Sequence, residues 1–148
     1  MQFLLWIHII AAASWFGAGV ALQFGDRIMG AETGTVRAGF YRQWVKLGQI
    51  LFTPAAVVVL ITGVLLVTGS EVYGFGSGFV SIGFLAVIVG AAMGMIVYGP
   101  RGRAAATALD DGDSSAASTA IARLRQGGAL EVVLLAITIG SMVGKWGA

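Results

Sequence analysis

The sequence predicts an all-α fold: a four-transmembrane-helix antiparallel bundle, a single integral membrane domain over residues 1–148, with N- and C-termini outside. Composition is the first reason. Of the residues, 57% are hydrophobic and 11% charged, where soluble domains carry roughly 25% charged residues. Four apolar segments near the ~20 residues that cross a bilayer core are the second. The third is that the basic residues gather in two of the three connections.

The first span runs over about 3–24. No Lys or Arg precedes it, as a cleaved signal peptide would require, so it reads as a retained span. The second covers about 44–68 and contains Pro54, which should kink the helix and free a carbonyl near mid-membrane. The third covers about 79–98 and the fourth about 129–146. Apart from Lys46, Glu131 and Lys145 near their ends, these spans hold no Asp, Glu, Lys or Arg.

Loop 25–43 carries Arg27, Arg37 and Arg42, with Lys46 at its edge. Loop 99–128 carries Arg101, Arg103, Arg123 and Arg125, and loop 69–78 has no basic residue. The excess of Lys and Arg on the cytoplasmic side of membrane proteins places 25–43 and 99–128 in the cytoplasm and the protein in the cell (cytoplasmic or inner) membrane. Trp6, Tyr73, Phe75, Phe79 and Trp146 then mark the outer interface. Phe40, Tyr41, Trp44 and Tyr98 mark the inner one. Within 99–128, Asp110-Asp111-Gly112-Asp113 reads as a solvated turn, and 104–109 and 116–126 as helix extensions beyond the membrane. The turn lacks the spaced acids and terminal Glu of a calcium-binding EF-hand.

With no cysteine and a net charge of +2, disulfides, thiolate metal sites and cysteine nucleophiles are excluded, and no nucleic-acid partner is implied. The expected surroundings are the lipid bilayer, with a second copy or other membrane subunits as partners. Helix association in lipid relies on small residues. Gly90 and Gly94, like Gly140 and Gly144, have that spacing; Gly17 begins a similar run with Ala21 and Gly25, and Gly83 shares a face with Gly90 and Gly94. These faces are expected to pack the bundle internally, or alternatively to dock a partner helix.

His8 is the only histidine, and an ionisable side chain in a span is a functional candidate. At 100° per residue it shares a stripe with Leu4, Ala12, Trp15 and Gly19. Trp15 lies too deep for an interfacial belt, so it is expected inside the bundle. Helix four carries Glu131, Leu135, Thr138, Met142 and Lys145 on one stripe. Helix two carries Lys46, Gln49 and Thr53. Lys46 and Glu131, near the same membrane face, are expected to form a structural ion pair, the alternative being that each snorkels separately. His8 and Met142 lie at similar depth. His/Met is a known axial set for haem and suits Cu(I). His8, Trp15 and Met142 are therefore the candidate cofactor-binding residues, and His8 and Met142 the candidate metal ligands, for haem b or copper. A structural hydrogen bond and a proton-transfer role remain the other readings of His8, and no residue is singled out as catalytic.

The residues also resemble a family. Leu5-Trp6-Ile7-His8-Ile9-Ile10, followed by Ser14-Trp15-Phe16-Gly17-Ala18-Gly19, is similar to the opening helix of the superfamily of copper-resistance protein D and HemJ-type protoporphyrinogen oxidases. Thr53-Pro54 with Thr62-Gly63-Val64-Leu65-Leu66 resembles its second helix. Ser141-Met142-Val143-Gly144-Lys145 resembles the ending of a bacterial branch of predicted integral membrane proteins. The resemblance implies a four-helix scaffold in which His8 matches a histidine implicated in haem or porphyrin binding. HemJ-type enzymes also use a His/Lys pair early in helix three. Here that stretch reads Phe79-Val80-Ser81-Ile82-Gly83-Phe84-Leu85, and the further histidines of the copper proteins are missing. The function expected first is a non-catalytic subunit or scaffold of a membrane assembly or homo-oligomer. A haem-, porphyrin- or copper-binding protein using His8 is the alternative, and HemJ-type porphyrin oxidation a more distant third.

Overall fold

The computed structural model describes residues 1–148, and no strand is present. Four rods long and apolar enough to cross a membrane make up the chain: Gln2–Met29, Gly34–Thr68, Gly78–Asp110 and Ser114–Gly144. The protein is a multi-pass, four-helix membrane bundle.

The first rod is one helix, α1 (Gln2–Met29). The second is α2 (Gly34–Leu47), a π-helical turn (Gly48–Phe52) and α3 (Thr53–Thr68). The third is α4 (Gly78–Met93), a π-helical turn (Gly94–Tyr98) and α5 (Gly99–Asp110). The fourth is α6 (Ser114–Gly144). α1 packs on α3 and α6, α4 on α3 and α6, so the four rods form a closed ring. Beyond it α2 packs on α5, and α5 on α6. Met1, the 69–77 connection and the C-terminal tail share one end. The sulfur of Met1 lies against Gly69, and the tail is tied to the start of α4 by Gly78 N–H to Gly147 O (2.9 Å) and Phe79 N–H to Trp146 O (2.8 Å). The arginine-bearing connections lie at the opposite, basic end.

Most of 25–43 and 99–128 is helical, where the hydropathy pattern placed loops. α1 runs on to Met29, α2 starts at Gly34, and only Asp111–Asp113 separates α5 from α6. The extensions over 104–109 and 116–126 are present. The turn is made by Gly112 at φ +73°, and Asp113 caps α6 by accepting from Ala116 N–H at 2.9 Å, as an N-cap aspartate should. The buried core concentrates here, around Ala38, Tyr41, Trp44, Ala105, Ala106, Ala117, Ala120 and Leu124. Alanine and glycine faces allow that approach: a Cβ added at Gly102 would lie 2.5 Å from Val45 Cγ2.

Pro54 does perturb its helix. Proline has no N–H and its ring collides with the carbonyl four residues earlier. A π turn widens the helix at Gly48–Phe52, just ahead of Pro54, and the Thr53 hydroxyl donates to Gly48 O at 2.9 Å. The same device precedes Pro100 at Gly94–Tyr98, which the sequence pattern did not single out.

The glycine faces divide. A Cβ on Gly83 would lie 2.5 Å from Met142 Cε, and one on Gly90 would overlap the Trp15 indole, so these two do pack the bundle. Gly17, Gly94 and Gly140 do not: an added methyl would meet nothing within 4 Å. Gly144 abuts only Trp146 of its own tail. Gly25, the last residue of the Gly17 run, does make a close approach, to Phe40, and further ones occur at Gly63, Gly102, Gly127 and Gly128, where the spacing was not singled out.

Candidate functional site

A cavity of about 680 Å³ opens in the half of the bundle away from the basic end, among α1, α3, α4 and α6. His8, Trp15 and Met142, the three candidate cofactor-binding residues, all line it. With them stand Gly63, Val80, Leu135, Thr138 and, near the tail, Lys145. Its lining is overwhelmingly apolar, so the few polar groups decide what orientation a ligand takes.

His8 is buried. The Thr62 hydroxyl has a single proton, which goes to Val58 O at 2.6 Å. Its oxygen therefore accepts from His8 Nδ1, 2.8 Å away. A hydrogen-bond partner of this kind fixes tautomer and ring plane. Gly63 supplies the room, since a Cβ there would lie 3.4 Å from His8 Cε1. The Thr62-Gly63 pair thus holds and accommodates the imidazole. The one side-chain hydrogen bond of His8 is made through Nδ1, the Val59 backbone also lies in hydrogen-bonding reach of the ring, and Nε2 is not among the enclosed, unpartnered polar atoms, which are Gln23 Nε2, Arg37 Nε and Trp44 Nε1. It is the ring nitrogen left facing the cavity.

Trp15, 3% exposed, joins this cavity to a buried carboxylate. Its Nε1–H donates to Glu131 Oε1 at 3.0 Å, and the Tyr98 hydroxyl bonds Glu131 Oε2. Gly90 makes the space: its missing Cβ is what lets the indole lie against α4. Glu131 does not pair with Lys46. Lys46 is exposed, and the two ion pairs of the chain are Arg42–Asp110 and Arg125–Asp26. Depth along two helices was the ground for expecting that pair. The azimuth of Glu131 turns it instead toward Trp15 and Tyr98.

At the basic end a second buried carboxylate, Asp26 (2% exposed), accepts from Tyr41 OH at 2.6 Å and Arg125 Nε at 2.7 Å. Tyr41 stacks on Trp44, and Trp44 meets Tyr98 at a tilt of 40°, so aromatic rings run between the two carboxylates. At the other end, Lys145 takes a left-handed conformation (φ +51°), and its Nζ lies 4.7 Å from the centroid of Phe79 and 5.1 Å from that of Tyr73, a cation–π geometry.

Thr62, Tyr98, Asp26, Tyr41 and Arg125 were not marked as site residues by the sequence. Only Thr62, the first residue of the 62–66 stretch that carries the resemblance in the second span, had a usable signal. No group of three or more His, Cys, Asp or Glu residues is placed to hold a metal ion. No protein-family model, curated protein or solved structure matches the chain.

Proposed function

We propose that this protein binds haem or a related porphyrin in the 680 Å³ cavity, which His8 would hold through Nε2. The observation carrying this reading is the divided imidazole: Nδ1 engaged by Thr62 at 2.8 Å, Nε2 free toward an apolar cavity. A ligating histidine is normally held through its other nitrogen. Met142 supplies a second soft donor on the same cavity, and Trp15 an aromatic wall. Bound haem would supply one-electron redox chemistry. The chain's own part is to orient the ring through His8 and exclude water with apolar side chains. Copper held by His8 and Met142 fits less well, because no cluster of His, Cys, Asp or Glu side chains accompanies them.

The test is haemin added to the detergent-purified protein. A shifted Soret band that disappears in His8→Ala is the expected result. No shift, or the same shift in His8→Ala, overturns the assignment.

The second reading is a non-catalytic subunit or scaffold, in a homo-oligomer or beside other membrane subunits. Gly17, Gly94 and Gly140 favour it, since they leave open helix surface that nothing in the chain covers. Cross-linking in mild detergent is expected to trap a complex; monomer at every concentration removes this reading. For either role the proposed setting is the cytoplasmic membrane, with the Gly30–Thr33 and Asp111–Asp113 turns inside.

A further inference from the structure

A second cavity, of about 320 Å³, lies at the basic end between the third rod and α6. It straddles a chemical boundary. Ile96, Val97 and Leu130 line it from the ends of the apolar spans, while Arg101, Arg123 and Gln126 line it from just beyond them. Gly127 keeps the cleft narrow, since a Cβ there would already lie 3.0 Å from Val97 Cγ1. Two arginines at this end are in ion pairs: Arg42 bonds Asp110 and Arg125 bonds Asp26. Neither Arg101 nor Arg123 has a carboxylate oxygen within 4.0 Å. Two guanidiniums without a carboxylate partner therefore line one cleft together with apolar side chains.

We propose that this cleft holds one anionic phospholipid of the adjoining leaflet. Its phosphate sits between Arg101 and Arg123, and an acyl chain lies over Ile96, Val97 and Leu130. Guanidinium donors match phosphate oxygens, and basic pockets at helix ends recognise acidic headgroups. The Gln126 amide adds a neutral donor. The apolar base selects a lipid over a free phosphate, which would leave those side chains unused. Nothing in this site depends on the larger cavity or its ligand.

The experiment uses the full chain in neutral detergent, with lipid retention read by native mass spectrometry and thermal unfolding by tryptophan fluorescence. Phosphatidylglycerol is expected to be retained and to raise the unfolding midpoint, and phosphatidylcholine to do neither. Each arginine should be worth roughly fivefold in affinity, so Arg101→Gln with Arg123→Gln should lose about 25-fold. Arg27→Gln, outside the cleft, should lose nothing. Should the double variant fold poorly, the single variants are read by lipid retention alone and each should lose its fivefold. Equal retention of both lipids, unchanged phosphatidylglycerol binding in the arginine variants, or an equal midpoint shift from inorganic phosphate alone would each overturn the proposal.

Discussion

Trp15 and Glu131, 116 residues apart in sequence, meet through an indole N–H to carboxylate hydrogen bond of 3.0 Å in the middle of the bundle. Tyr98 holds the other carboxylate oxygen. Removing the carboxylate leaves two enclosed donors without an acceptor, at about 1–3 kcal/mol for each. Glu131→Ala is therefore expected to cost about 2–5 kcal/mol in SDS-titrated unfolding. Glu131→Gln keeps one acceptor and should cost clearly less. Equal losses in the two variants would show that packing volume, not acceptor supply, is what Glu131 contributes.

Gly90 and Gly140 make opposite predictions despite similar sequence context. Gly90→Ala drives a methyl into the Trp15 ring and should destabilise by about 1–3 kcal/mol, as overpacking does. Gly140→Ala meets open space and should stay within about 0.5 kcal/mol in the monomer. A loss at Gly140 confined to the cross-linked form would locate a partner helix on that face.

Asp26→Ala strips the buried Tyr41 hydroxyl and the half-exposed Arg125 of one shared acceptor. The expected cost is about 2–3 kcal/mol, below that of breaking a fully buried pair. Arg42 and Asp110 are both substantially exposed, so Arg42→Ala should cost less than about 1 kcal/mol. The same unfolding titration ranks the two. Reversal of that order would place the stability of the basic end in its surface pairs.

Thr62→Val keeps volume but removes the acceptor of His8 Nδ1. Loss of such an outer partner typically weakens ligation 10–100-fold. Haemin titration by absorbance is expected to show that loss in Thr62→Val and complete loss in His8→Ala. Unchanged binding in Thr62→Val would mean the imidazole needs no orienting partner.

The chain has no cysteine, so single cysteines report topology cleanly. Glu71→Cys should react with a membrane-impermeant maleimide in intact cells. Ser114→Cys, at the basic end, should react only after permeabilisation. Labelling in the reverse pattern would invert the orientation.

The four spans were legible because lipid demands about 20 apolar residues in a row, a one-dimensional signal. The helix extensions were partly legible, since 104–109 and 116–126 have helical composition while α2 sits in a polar, arginine-bearing stretch that reads equally well as loop. His8, Trp15 and Met142 could be chosen from stripe and depth, and they do line one cavity. Their partners could not. Thr62 is 54 residues from His8, and nothing local specifies which way a threonine in an apolar helix turns. Lys46 and Glu131 were matched by depth alone, and depth leaves rotation about the helix axis free. The small-residue spacing failed at Gly17, Gly94 and Gly140 for the same reason: it marks a narrow face but not what the face meets.

The π turns at Gly48–Phe52 and Gly94–Tyr98 divide two of the rods into halves that need not keep step with each other. One residue corresponds to about 100° of helical rotation, and a π turn absorbs one surplus residue. Residue count between the two halves therefore acts as a phase setting. Deleting a single residue in the 94–98 turn, and so restoring α geometry, would swing Tyr98 away from Glu131 and carry the Arg101 side of α5 with it, while α4 and its wall of the cavity kept their bearing. A single codon gained or lost there would reset the rotation of one end of the bundle against the other.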